Sequence, residues 1–168
     1  MKRIVCLLMS LVCALSFTAC KPQDSLKSVV LTGYVVVNDL IGKVRPIQQD
    51  PSQVLTGVDI MVGAAKAVNA ALGILVKNTD SPFVKQAYDV SGDVLEILKQ
   101  IQADPSQVTD KIDVLLNDLE IVRDGFVSVN GTLNLGIDFP APKAVNDDLL
   151  SSDTRNLEMS IDKYNASN

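Results

Sequence analysis

Histidine and tryptophan are both missing from this 168-residue chain, and only three tyrosines and four phenylalanines supply aromatic rings. Without histidine the chain lacks the usual general base, the commonest metal ligand and the usual near-neutral pH switch. Cysteine is confined to Cys6, Cys13 and Cys20, so no thiol pair follows the first twenty residues. A zinc or copper centre of the thiolate–imidazole kind is thereby excluded, as is a disulfide framework. Positive charge is also in short supply, with 15 Lys and Arg against 20 Asp and Glu. A net charge of −5 without a basic stripe disfavours nucleic acid and anionic head groups as partners. The aromatic residues beyond position 20 (Tyr34, Phe83, Tyr88, Phe126, Phe139, Tyr164) are scattered and form no stacking platform for bases.

What is present begins at the N-terminus. MKRIVCLLMSLVCALSFTAC opens with Lys2 and Arg3, continues as an apolar run from Ile4 to Phe17, and reaches small residues before Cys20. A charged start, a short apolar segment and a small-residue cleavage site make a secretory signal. The run is too short for a membrane-crossing helix, which takes about 20 residues. Cleavage after Ala14-Leu15-Ser16 also fits the small-x-small rule.

The segment Phe17-Thr18-Ala19-Cys20 resembles the cleavage box of bacterial lipoproteins. The resemblance implies a cut before Cys20 and acylation of Cys20, with palmitate-type chains as the covalent lipid and no other cofactor. It also implies a cell-envelope location, with Lys21, in place of Asp, favouring the outer membrane facing the periplasm. Residues 1–19 are then the signal peptide and residues 20–24 a lipidated tether. Loss of Lys2 and Arg3 with the leader takes the net charge from −5 to about −7.

An internal repeat organises the rest. Segment 39–62 aligns without gaps on 93–116 at an offset of 54 residues, with nine of 24 positions identical. The identities include Ile47/Ile101, Gln48/Gln102, Asp59/Asp113 and the run Asp-Pro-Ser-Gln-Val at 50–54 and 104–108. Val30/Val84, Tyr34/Tyr88 and Val36/Val90 keep the offset upstream. The apolar matches alone could be two amphipathic helices converging; DPSQV twice in register is harder to produce that way. Asp before Pro is a helix N-cap followed by the residue best suited to the first helical position, with Gln53 and Gln107 at the capping-box site. Helices are therefore expected to start at Pro51 and Pro105.

Apolar spacing gives the same picture. Val54, Val58, Met61, Ala65, Val68, Leu72 and Leu75 alternate steps of four and three, and adding 54 gives Val108, Ile112, Leu115, Leu119, Val122, Phe126 and Val129, all apolar. Tyr34-Val35-Val36-Val37 would suit a strand by propensity. Its repeat partner leads into the plainly helical DVLEILKQIQ, so both copies are expected to be helical. The fold expected is all-α: an antiparallel four-helix bundle from a duplicated helical hairpin, plus a short C-terminal helix. Helices are expected at about 25–48, 51–77, 82–102, 105–128 and 145–164. The bundle occupies 25–130, with repeats 27–76 and 81–130, and 131–168 forms a loop and the last helix. Residues 57–76 are apolar enough to raise a membrane span, but Asp59, Lys66 and Asn69 oppose it.

Candidate sites are few. Asp110 and Asp113 lie one turn apart, and Asp59 and Asp113 are repeat equivalents that a cation could bridge; a solvated helix face explains them as well. Asn146-Asp147-Asp148 with Asp153 offers oxygen ligands for calcium but lacks the spacing and turn glycine of an EF-hand loop, and helix capping before Leu149 explains it better. Ser52 and Ser106 recur without a base or an oxyanion motif. No catalytic residue and no metal ligand emerge. Tyr34 and Tyr88 recur on the core-facing stripe, where each hydroxyl needs a partner or a path to water, and they are candidates to line a cavity for an apolar ligand. The leading expectation is a non-catalytic envelope lipoprotein, held to the membrane by Cys20 and acting on an envelope protein partner. An apolar-ligand carrier or sensor and a prophage-type infection-blocking lipoprotein are the alternatives.

Overall fold

A computed structural model describes residues 22–168 apart from 51, 52 and 54. The segment 1–19 expected to be a signal peptide and the expected lipidation site Cys20 lie outside the described residues, as do Lys21, Pro51, Ser52 and Val54. Among those described, the chain is all-helical, with five α-helices and no strand. They are α1 (Pro22–Gln49), α2 (Val58–Asn78), α3 (Pro82–Ala103), α4 (Val108–Thr132) and α5 (Asp147–Ser167).

The spacing that defined the expected seams is the spacing of the core. Met61, Ala65, Val68, Leu72 and Leu75 of α2 are buried, as are Ile112, Leu115, Leu119, Val122, Phe126 and Val129 of α4. Val30, Val37, Ile41 and Val44 do the same for α1, so the β-branched run there is helical because its stripe has a core to face. α1 and α2 are each long and apolar enough to cross a bilayer by composition, yet most of the apolar window of each is buried against other helices.

Packing follows α1 on α2, α2 on α3, α3 on α4 and α4 on α1, while α5 lies on both α1 and α2. Directions follow from side-chain contacts. Gly33 meets Phe126 while Gln48 reaches Asp113, so α1 and α4 are antiparallel. Asn69 bonds Ser91 while Gln102 bonds Asp59, so α2 and α3 are antiparallel. Ser28 bonds Ser160 while Lys43 pairs with Asp147, so α5 runs against α1.

Two of these contacts are images of each other. Gln48 donates to Asp113 at 2.9 Å, from α1 to α4, and Gln102 donates to Asp59, from α3 to α2. Gln48 and Gln102 are 54 positions apart, as are Asp59 and Asp113, so exchanging the two repeats turns one bond into the other. Both DPSQ turns also carry a Gln-to-Asp side-chain bond, Gln53 to Asp50 at 3.3 Å and Gln107 to Asp104 at 3.2 Å.

The helix starts depart from expectation. In the second copy Asp104 caps, accepting from the Ser106 amide at 3.1 Å, but Pro105–Gln107 form a 3-10 turn and α4 begins at Val108. In the first copy the helix begins at Val58, not at Pro51. The cause is Gly57, at φ 70°, where the second copy has Lys111 within a helix. A methyl group there would overlap the carboxylate of Asp147, which opens α5 and pairs with Lys43. The space that α2 vacates is the space into which the α5 N-terminus docks. Gly57→Ala is expected to cost about 1–2 kcal/mol from the left-handed backbone alone, with a further loss as Asp147 is displaced. Thermal denaturation followed by circular dichroism measures this, and an unchanged midpoint would contradict it.

Two further boundaries differ. α1 starts at Pro22, so residues 22–24 of the expected tether are helical. The C-terminal helix is not short: α5 has 21 residues, as many as α2, and Asn146 caps it by accepting from the Leu149 amide at 2.8 Å.

α5 covers one hairpin only, and the sequence explains which. Beneath it or its approach lie Leu31, Thr32, Val35, Asp39 and Gly42 of α1, all buried or half-buried. The equivalent positions on α3 are Lys85, Gln86, Asp89, Asp93 and Glu96, all exposed. Positions 54 apart match on the inner faces of the two hairpins and differ on the outer ones.

Candidate functional site

The segment from Leu133 to Asn146, between α4 and α5, is held over α1 at several points. Asn134, at φ 49°, lies just beyond α4 in the left-handed region that Asn tolerates. Asn130 then grips the backbone of Ile137 twice, donating to its carbonyl and accepting from its amide, both at 3.0 Å. Lys27 donates to the Gly136 carbonyl at 3.3 Å. Leu135 and Ile137 are buried, and Phe139 stacks on Tyr34 with ring centroids 4.1 Å apart.

One face of the Tyr34 ring is thus taken by Phe139. Tyr88 lies elsewhere, 36% exposed, with its ring edge over Gly73 of α2. It borders an open groove of about 420 Å³ with Ala70, Ile74, Lys77, Ile161 and Asn165. The repeat-related tyrosines thus do not converge. The sequence offered no way to see this, because the segment that covers Tyr34 has no repeat counterpart over Tyr88.

The acidic residues of α4 are mostly engaged one by one. Asp113 accepts from Gln48, Glu120 pairs with Arg45 at 2.8 Å, and Asp124 pairs with Arg123 at 2.9 Å. Asp59 accepts from Gln102, so Asp59 and Asp113 each meet a glutamine of the other repeat and not one another. Burial, reinforced by the nearby charge of Asp93, raises the Asp118 carboxyl above its ordinary range despite a hydrogen bond from Asn117. Ser106 donates its hydroxyl to Asp104 at 2.6 Å, a turn-forming contact. Among the described residues no group of three acidic or sulfur side chains converges to hold a metal ion.

One cluster with unusual chemistry is not assembled by sequence reasoning, which names Asp153 only as a calcium candidate beside Asn146-Asp147-Asp148. Asp39 of α1 is 1% exposed, and its Oδ2 is the one buried side-chain oxygen or nitrogen among the described residues that no protein donor reaches. Its neighbours are Asp153 of α5 and Lys143 of the covering segment, themselves paired at 2.9 Å. Burial, together with the hydrogen bond to Asp153, pushes the Asp39 carboxyl up to about 7, against the attraction of Lys143. Asp153 moves the opposite way: burial opposes its charge, but hydrogen bonds from Lys143 and Asp39 outweigh that and hold it below the ordinary range. A recess of about 40 Å³, lined by Val35, Asn38, Pro140, Pro142 and Lys143, reaches Asp39 and has room for a water molecule or two. The available signal was the repeat itself: Asp39 aligns with Asp93, but only the Asp39 side of the alignment is flanked by apolar outer positions.

Comparison with protein-family models, with curated proteins and with solved structures returned no match to this chain.

Proposed function

We propose that this protein is a non-catalytic, lipid-anchored envelope protein that presents a helical interaction domain, and that the domain is an antiparallel four-helix bundle of two related hairpins with α5 laid across the first. The two glutamine–aspartate bonds related by the 54-residue offset support the duplicated-hairpin reading. The observation that carries the anchoring is the lipoprotein-like box ending at Cys20, with α1 beginning at Pro22. So short a link leaves the domain close to the bilayer surface. Acyl chains on one cysteine give strong retention, since each buried methylene contributes about 0.8 kcal/mol. The outer-membrane, periplasm-facing location is part of the same proposal, carried by Lys21 after Cys20. A protein partner, and not nucleic acid or a substrate, fits an acidic domain whose clustered groups are committed to helix contacts.

Crosslinking in intact cells tests this. Wild type is expected to yield a discrete crosslinked species that a Cys20→Ala variant forms poorly. A uniform background of products, the same for both, would argue against a specific envelope partner.

A second reading is a carrier of an apolar ligand. What favours it is the groove of about 420 Å³ at Tyr88, where Ala70 and Gly73 leave space beside Ile74 and Ile161. Native mass spectrometry of the purified protein should retain a bound lipid if this reading holds, and Gly73→Leu should abolish it.

A further inference from the structure

We propose that Asp39, Asp153 and Lys143 form a pH-sensitive latch that fastens α5 and the 133–146 segment to α1, closed while one proton is shared between the two carboxyls and loosened when it leaves. This goes beyond the anchoring and partner reading and does not depend on it.

The geometry sets the requirement. Three elements meet at one point: the buried Asp39 from α1, the exposed Lys143 from the covering segment and the half-buried Asp153 from α5. Lys143 supplies one positive charge for two carboxyls, and its ammonium is spent on Asp153 at 2.9 Å. With a proton on Asp39, the pair becomes a carboxyl donating to a carboxylate, and the group that no protein donor reaches becomes itself a donor. Without that proton, two negative charges face each other beside a single ammonium, one of them on the buried Asp39, and the simplest relief is to move the covering segment and α5 away from α1.

Other charges do not answer Asp39. Lys43, one turn along α1, is engaged by Asp147, and Arg45 by Glu120 of α4. Asp59 of α2 accepts from Gln102, while Lys66 of α2, Asp138 of the covering segment and Arg155 of α5 are exposed. The latch is flanked by contacts that hold no shared proton: Ser28 with Ser160 at 2.9 Å toward one end, Lys43 with Asp147 toward the other. Loosening is thus centred on residues 138–146 and the first half of α5. The recess at Asp39 gives the proton its route to solvent.

The sign of the effect follows from linkage. Asp39 titrates near its ordinary 3.8 in the unfolded chain and near 7 in the folded one. Between those values the folded protein keeps a proton that the unfolded chain has released, so stability from this group falls as pH rises and levels off above about 7. Asp153, whose folded value is lowered, acts at the acid end and does not mimic this slope. A chain with no histidine thus acquires a near-neutral titration from a buried carboxyl.

The test compares the full chain in detergent with Asp39→Asn, whose amide can donate to Asp153 at every pH. Hydrogen exchange, corrected for the intrinsic pH dependence of amide exchange, is read at about pH 5.5 and 8.5. In wild type, residues 138–156 are expected to lose at least about tenfold protection at the higher pH, while α3 and α4 are unchanged; a tenfold change corresponds to about 1.4 kcal/mol. In Asp39→Asn the protection should be equal at both. The melting temperature of Asp39→Asn should match wild type near pH 4 and exceed it by about 5 °C or more above pH 7.5. Carbon-13 NMR of the Asp39 carboxyl in wild type gives a reading that needs no variant, with an expected midpoint near 7. A midpoint in the ordinary carboxylate range, or a pH response that persists in Asp39→Asn, would overturn the proposal.

Discussion

Phe126→Ala is expected to destabilise the fold by about 3–5 kcal/mol, a large share of the stability of a domain this size. Phe126 is fully buried on α4, and its ring lies against Gly33 of α1. Gly33 has no side chain because there is no room for one: a Cβ there would overlap the ring edge. Ala87, the counterpart of Gly33, is also fully buried, and its methyl lies against Gly125 of α4, where a Cβ would overlap it. Gly33→Leu alone should therefore overpack and cost about 1–3 kcal/mol despite the better helix propensity of leucine. Combined with Phe126→Ala, the added leucine fills the vacated space, and the double variant should recover at least a third of the loss. Urea denaturation of the chain lacking residues 1–19 gives all three values. Additive losses would mean that the two residues do not share a contact.

Replacing Cys20 by alanine has the other large expected effect, on location and not on stability. Wild type should sediment with membranes and resist extraction by high salt, because retention by acyl chains is not electrostatic. Cys20→Ala, once cleaved at the alternative site, should lose nearly all of this retention and appear in the soluble fraction. Among the described residues, α1 and α2 are apolar enough to enter a bilayer, but most of each apolar window lies inside the fold. The domain's acidity would not attract anionic lipid either.

Much of the helical framework was readable from sequence because periodicity reports directly on the inner face of a helix. Every seam position from Met61 to Leu75 and from Ile112 to Val129 is buried. The repeat added what periodicity could not, by making Tyr34-Val35-Val36-Val37 helical through its partner and by pairing Gln48 with Gln102 and Asp59 with Asp113. What periodicity does not report is how much of the outer face a further element covers. Gly57 was not recognisable as the start of α2, because the reason for its conformation is Asp147, ninety residues away. Asp39 was unremarkable for the same reason: its burial is made by α5 and by the 133–146 segment, whose Gly and Pro residues carry no helical period. The contrast of Leu31, Val35 and Gly42 with Lys85, Asp89 and Glu96 was the trace those elements left in the sequence. It becomes legible once the two copies are compared for their differences as well as their identities.

Mass spectrometry of the protein extracted from membranes tests the anchored-domain account most directly. The N-terminal fragment should begin at Cys20, carry the added mass of acyl chains and lack Met1 to Ala19. A fragment that begins at Phe17 or retains Met1, with Cys20 unmodified, would contradict it.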